Sequence, residues 1–266
     1  MTAIRLVFLL FGAAIATLFP FTAVLLASRG FDAASIGLVT GSAALAYTIA
    51  VPAWGHLGDV VLGRRRALSV ATGVAAITLV VFGLPLPALA LGATYVVFTL
   101  FESGSAPLAD ALAITEIRRR GRGSYGEVRL LTSASYAVVA VVAGFVFDRT
   151  GYGPAPYLAA AVFATVSLVA ALAPDAPRTI LAEEGGRRGG SVRAAFAAAP
   201  RLPLVLVAIF LSYIGAVASF TFLPLRIEQL GGSASDIALA AGLSAAVEVP
   251  GFLLAGRLAE RIGLRA

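Results

Sequence analysis

Eight long apolar runs constrain this chain more than any other feature. They cover roughly 4–28, 35–57, 67–85, 88–116, 128–147, 154–173, 203–225 and 235–256. A helix needs about 20 predominantly apolar residues to cross the hydrocarbon of a bilayer. The strands of a membrane barrel would be about 10 residues long and alternate in polarity. These runs are longer and apolar on every face, so they predict membrane-spanning helices. Composition agrees: 59% of residues are hydrophobic and 13% charged, against about half and a quarter in a soluble domain. No water-soluble core hides that much apolar surface.

The same composition excludes several chemistries. There is no cysteine, which removes disulfides, thiolate metal sites and a cysteine nucleophile. A single histidine, His56, argues against zinc. No nucleophile motif, metal cluster or phosphate loop beside a strand is found, so the chain is not read as an enzyme and no cofactor is expected. The net charge of +6 comes from arginines clustered in short loops between spans. That placement argues against nucleic acid as a partner and for the lipid bilayer. The first run is too long for the core of a signal peptide, and no clear A-x-A site follows it, so it is read as a retained span.

Arginine also sets direction. With the N-terminus inside and the loops alternating, 17 arginines fall inside and 3 outside, namely Arg29, Arg149 and Arg226. Inside are, among others, Arg64, Arg65 and Arg66, then Arg118, Arg119, Arg120, Arg122 and Arg129. The excess predicts a multi-pass protein of the cytoplasmic (inner) membrane with a cytoplasmic N-terminus.

An internal repeat emerges when the chain is shifted by 201 positions: Gly30 falls on Gly231, Ile36 on Ile237, Gly41 on Gly242, Gly55 on Gly256 and Asp59 on Glu260. The seventh and eighth runs are thus expected to be a second, parallel copy of the first two. The expected organisation is a six-helix N-terminal bundle over 1–174, a cytoplasmic linker over 175–202, and the first two helices of a C-terminal bundle over 203–266. On that reading four further helices are missing after the eighth; a natural eight-helix protein is the alternative.

The loop GHLGDVVLGRRR, Gly55 to Arg66, resembles the signature loop of the major facilitator superfamily, Gly-x-x-x-Asp-Arg-x-Gly-Arg-Arg. Gly55 and Asp59 keep the spacing, Gly63 comes one residue late before Arg64 and Arg65, and Val60 replaces an arginine. The loop GRLAERIGLR, Gly256 to Arg265, fits better through Gly256, Glu260, Arg261 and Gly263. Two such loops at equivalent places are strong evidence. APLADALAI, from Ala106, and GSYGEVRLLTSASYAV, from Gly123, are similar to the branch containing the phenylpropionate permeases. The resemblance implies an all-α helical bundle of that superfamily.

Charges within apolar runs are costly and are functional candidates by default. Glu102, in LFESGSAPLAD beside Pro107, is the first candidate for proton coupling or substrate binding, and Glu248, before Pro250, is the second. Asp110 and Arg129 are expected to form a structural or gating charge pair. In this superfamily the first, fourth, seventh and tenth helices line the cavity, which would let Tyr213 and Phe21 stack on a substrate ring. In the signature loops, glycine is expected to let a helix end approach its neighbour, and the acid to hold a contact that locks one conformation. No arginine is expected at mid-depth, which counts against an organic anion. The resulting expectation is a secondary transporter of a small organic solute (aromatic acid, nucleoside or sugar), proton-coupled, working by alternating access, and a monomer when full length. Drug or metabolite efflux by proton antiport is one alternative; a non-transporting membrane remnant or scaffold is another.

Overall fold

The computed structural model describes residues 1–121, 123–174, 196–197, 199 and 201–262, with side chains in the last stretch described through Glu248 and at Pro250. Among the described residues every regular element is helical. The helices are α1 (Thr2–Ala16), α2 (Thr22–Ser28), α3 (Ala33–His56), α4 (Arg64–Gly83), α5 (Ala88–Glu102), α6 (Ser105–Arg120), α7 (Tyr125–Thr150), α8 (Ala155–Ala171), α9 (Leu202–Gln229) and α10 (Ala234–Ile262). Six units are long and apolar enough to cross a bilayer: Thr2–Ser28, Ala33–Val61, Arg64–Gly83, Ala88–Arg120, Tyr125–Thr150 and Leu202–Gln229. The apolar α8, of 17 residues, and α10, of 29, stand where the sixth and eighth runs predict spans.

Two runs expected to be continuous are broken. In the first, a 3₁₀ turn at Phe19–Phe21 separates α1 from α2. Pro20 has no N–H to give a helix, and the local hydroxyls take up slack: Thr17 Oγ1 donates to Ala14 O at 2.8 Å and Thr22 Oγ1 to Leu18 O at 3.0 Å. In the fourth, Ser103 and Gly104 part α5 from α6, because Pro107 offers no N–H to Ser103. The carbonyl of Leu100, which loses its helical partner there, accepts from Trp54 Nε1 and from Ser103 Oγ, both at 2.8 Å. Helix ends also run past the expected limits: α7 begins at Tyr125, and α10 continues to Ile262.

Small and hydroxylated residues bring the helices together, as expected where apolar area alone gives no preference between protein and lipid. Ser69 and Ser167 join α4 to α8 reciprocally, each hydroxyl donating to the other's carbonyl at 3.0 and 2.7 Å. Thr132 Oγ1 on α7 donates to Phe8 O on α1 at 3.1 Å. Between α7 and α10, a Cβ on Gly144 would lie 2.9 Å from Ala234 O, and one on Gly242 would lie 3.1 Å from Ala137 O. These helices therefore meet backbone to backbone.

The two expected copies share a turn in detail. Gly30 (φ +87°) and Gly231 (φ +84°) close α2 and α9. Phe31 N–H bonds Leu26 O and Gly30 N–H bonds Ala27 O; at the shifted positions Gly232 N–H bonds Ile227 O and Gly231 N–H bonds Glu228 O. Both are Schellman caps. Ile36 and Ile237, five residues beyond each C″ residue, are both buried.

The ends of the bundle differ in charge as the arginine count predicts. At one end gather Arg64, Arg5 with Glu127 (3.8 Å), and Glu116, held by Arg119 (2.7 Å) and Arg120 (2.5 Å). At the other, Arg29 donates to the carbonyls of Phe82, Gly83 and Leu84 at 2.9 Å, closing the C-terminus of α4. Arg122 and most of the linker, including Arg178, Arg187, Arg188 and Arg193, lie outside the described residues.

Candidate functional site

A cavity of about 250 Å³ lies between α1, α7, α9 and α10. On α7 it is lined by Arg129, Thr132, Ser133 and Tyr136, and on α10 by Ala241, Ser244, Ala245 and Glu248. Both sets run i, i+3, i+4, i+7, so each is one face of one helix. Ile15 of α1 and Phe220 of α9 add apolar wall. The cavity begins directly beside the close α7–α10 contact, where Tyr136 and Ala241 adjoin Ala137 and Gly242, on the side of the arginine-rich end.

The polar lining is of both signs. Ser133 Oγ donates to Glu248 Oε2 at 3.1 Å. Glu248 stands 14 residues into the 29-residue α10, at mid-depth. Arg129 forms no hydrogen bond or ion pair with any described residue, although it is half-buried. A half-buried guanidinium offers five donors, and here they border the cavity that Glu248 also lines.

This corrects one expectation. Asp110 and Arg129 stand within electrostatic reach but make no direct ion pair: the Tyr125 hydroxyl lies beside the Asp110 carboxylate, and Asp110 Oδ1 is buried without a hydrogen-bond partner. α7 starts three residues earlier than expected, and Arg129, in its second turn, lines the cavity near the arginine-rich end and not at mid-depth.

Glu248 is where the sequence places it. Glu102 is not on the cavity wall; it is 5% exposed at the end of α5, with no hydrogen bond or ion pair to any described residue. Tyr47, on α3, stands within electrostatic reach of Glu102, Arg129, Asp110 and Tyr213. Tyr213 itself is 66% exposed on α9. Phe21 is fully buried at the arginine-poor end, edge-on to Phe147 at 4.8 Å, and has no face free for a ring. The hydroxyl-bearing Thr132, Ser133, Tyr136 and Ser244 escaped a search for charges; their signal is the helical spacing from Arg129 and Glu248, whereas Tyr47, on α3, has no such signal.

The first signature loop is a clasp. After α3 the chain makes a π-helical turn, Leu57–Val61, and Gly63 (φ +81°) precedes α4. Arg64, 3% exposed, donates through Nε to Asp59 Oδ1 and through Nη1 to Thr115 Oγ1, both at 2.7 Å. Arg65, which follows it, is also partnered. The close approach assigned to Gly55 is made by Gly58 instead: nothing lies within 4 Å of a Cβ at Gly55, whereas one at Gly58 would strike Leu108. In the second loop, Gly256, Glu260 and Arg261 belong to the helical backbone of α10 with side chains outside the described set, and Gly263 lies outside the described residues.

The profile of the MFS_1 like family matches residues 1–266. The maltose permease of Geobacillus stearothermophilus is 30% identical over 260 residues, which is 97% of this chain and 64% of the permease. The chain thus spans under two thirds of that relative's length. Among solved structures, a mutant of the nucleoside transporter NupG superposes with a TM-score of 0.78 at 16% identity, over 98% of this chain and 68% of NupG. A second NupG structure gives 0.71 at 18% identity, over 99% of this chain. The bundle, the clasped loop and the full-length profile match lead to one conclusion: the chain belongs to the MFS_1 like family, with the helical membrane architecture of the major facilitator superfamily.

Proposed function

We propose that this protein is a secondary transporter of a small, hydroxyl-rich solute of the sugar or nucleoside class, driven inward by protons. The carrying observation is the cavity between α7 and α10, with Arg129, Glu248 and the Ser133, Tyr136 and Ser244 hydroxyls on two facing helix surfaces. A solute rich in hydroxyls both donates and accepts, so it can meet a guanidinium and a carboxylate together. At about 250 Å³ the cavity is close to the roughly 300 Å³ at which small-molecule sites begin. The names of the relatives point the same way, since maltose is a sugar and nucleosides carry one.

In this reading Glu248 binds solute and exchanges a proton, with Ser133 orienting the carboxylate. Glu102 is the second proton-handling carboxylate, reached past Tyr47. Asp59 and Arg64 hold the arginine-rich end in one arrangement, and the two repeats rock about the cavity. That end, with the N-terminus, faces the cytoplasm of the inner membrane. The efflux alternative, with a cationic substrate held by the carboxylates, is disfavoured by the Arg129 guanidinium in the same cavity. An aromatic acid, suggested by the phenylpropionate-like motifs, is the competing substrate because Arg129 could hold its carboxylate.

The test is uptake into proteoliposomes under an imposed proton gradient, with radiolabelled maltose, a nucleoside and phenylpropionate as parallel arms. Gradient-dependent accumulation of a hydroxylated solute is expected. Glu248→Gln should cut that accumulation at least tenfold. Absence of uptake in all arms sinks the reading, and uptake of phenylpropionate alone reassigns the substrate.

A further inference from the structure

Among the described residues, two hydrogen bonds at the arginine-poor end join the part of the chain holding α1–α8 to the part holding α9 and α10. The first runs from the backbone N–H of Ser235, in the first turn of α10, to Asp148 Oδ1 near the end of α7, at 3.1 Å. First-turn N–H groups have no acceptor within their own helix, and the helix dipole favours an anion there. The groups of Ser233 and Asp236 are served locally. Asp236 accepts from Ser233 N–H and Oγ–H at 2.8 Å, and Asp236 N–H bonds Ser233 Oγ. Only the Ser235 bond reaches across to α7. Nor is Asp148 drawn off by its neighbour, because Arg149 donates to Phe145 O at 2.8 Å.

The second bond runs from the Tyr152 hydroxyl, in the turn after α7, to Glu228 Oε1 at the end of α9, at 3.0 Å. Between the two bonds lies an apolar plug, with Phe21, Phe147, Ala234, Ile237 and Ala238 all buried. The glycine contacts of Gly144 and Gly242 continue it to the edge of the cavity.

We propose that Asp148 and Tyr152 form a clasp that keeps the arginine-poor mouth of the cavity shut, and that its parting is the step which opens the cavity on that side. Both bonds bridge the repeats, so a rocking motion that opens this mouth must break both. Asp32 makes the matching control. It sits at the same end and caps α3 through Ser35 N–H at 2.8 Å, but within its own repeat. Losing it frays a helix start without freeing one repeat from the other.

Access to the cavity measures this directly, because the chain contains no cysteine of its own. Ser244→Cys places one thiol on the wall, and a membrane-impermeant maleimide is added on the arginine-poor side of sealed vesicles. Asp148→Ala and Tyr152→Phe should each raise the labelling rate about three- to tenfold and lower labelling from the arginine-rich side, while Asp32→Ala leaves both rates at the parent value. Unchanged rates in the Asp148 and Tyr152 variants, or an equal rise with Asp32→Ala, would overturn the clasp. If Asp148→Ala does not assemble, Tyr152→Phe decides alone. The assay reads access and not solute movement, so its failure is distinct from failure of the uptake experiment.

Discussion

Arg64 shows how much one side chain can hold at a membrane edge. It is 3% exposed and joins the π-helical turn to α6 through Asp59 and Thr115. Removing one member of such a pair leaves the other charge partly buried and costs on the order of 3 kcal/mol. Arg64→Ala is expected to lower the unfolding midpoint in detergent clearly, and Thr115→Val by about a third as much, near 1 kcal/mol for one hydrogen bond. Asp32 supplies a pH-dependent case. Its hydrogen bonds with Ser35 hold the carboxyl below its ordinary 3.8. A depressed carboxyl stabilises the fold above its unfolded pKa and loses that contribution as pH falls through the folded value. Relative to Asp32→Asn, the wild type should therefore begin to lose stability as pH falls below about 4 and match it in trend above that. Glu248 was legible because a carboxylate in an apolar run is conspicuous. Tyr47 and Ser133 were not, because hydroxyls are common in membrane helices and only packing shows which ones meet.

Among the helices and turns, the Schellman caps at Gly30 and Gly231 carry the plainest expectation. A left-handed φ costs a residue with a Cβ about 1–2 kcal/mol. Gly30→Ala and Gly231→Ala should each lower the unfolding midpoint by a similar amount, since the two turns have the same bonds. Gly144→Val tests the other glycine role: its side chain would strike Ala238, and overpacking of this kind costs about 1–3 kcal/mol. The breaks at Pro20 and Pro107 were readable from proline chemistry, yet hydropathy averages over a single turn and merged both pairs of helices. Helix ends slipped for a similar reason. Apolar runs mark where lipid is, and helices such as α7 continue beyond it; three residues of slippage were enough to misplace Arg129.

Taken whole, the molecule was legible in its all-helical membrane fold, because that is written in many residues at once. The α7–α10 contact was not, since it rests on glycines and alanines that are abundant everywhere in this composition. The repeat has one further consequence. The shift that lays Gly30 on Gly231 also lays Tyr47, within electrostatic reach of Arg129, on Glu248, which shares the cavity wall with Arg129. If a duplication gave rise to both halves, the ancestral subunit presented one side chain twice across a two-fold axis, and its ligand met a symmetric chamber. Divergence of that single seat into a phenol and an acid would have been enough to give the descendant a solute orientation, with one pole of the chamber distinguishable from the other.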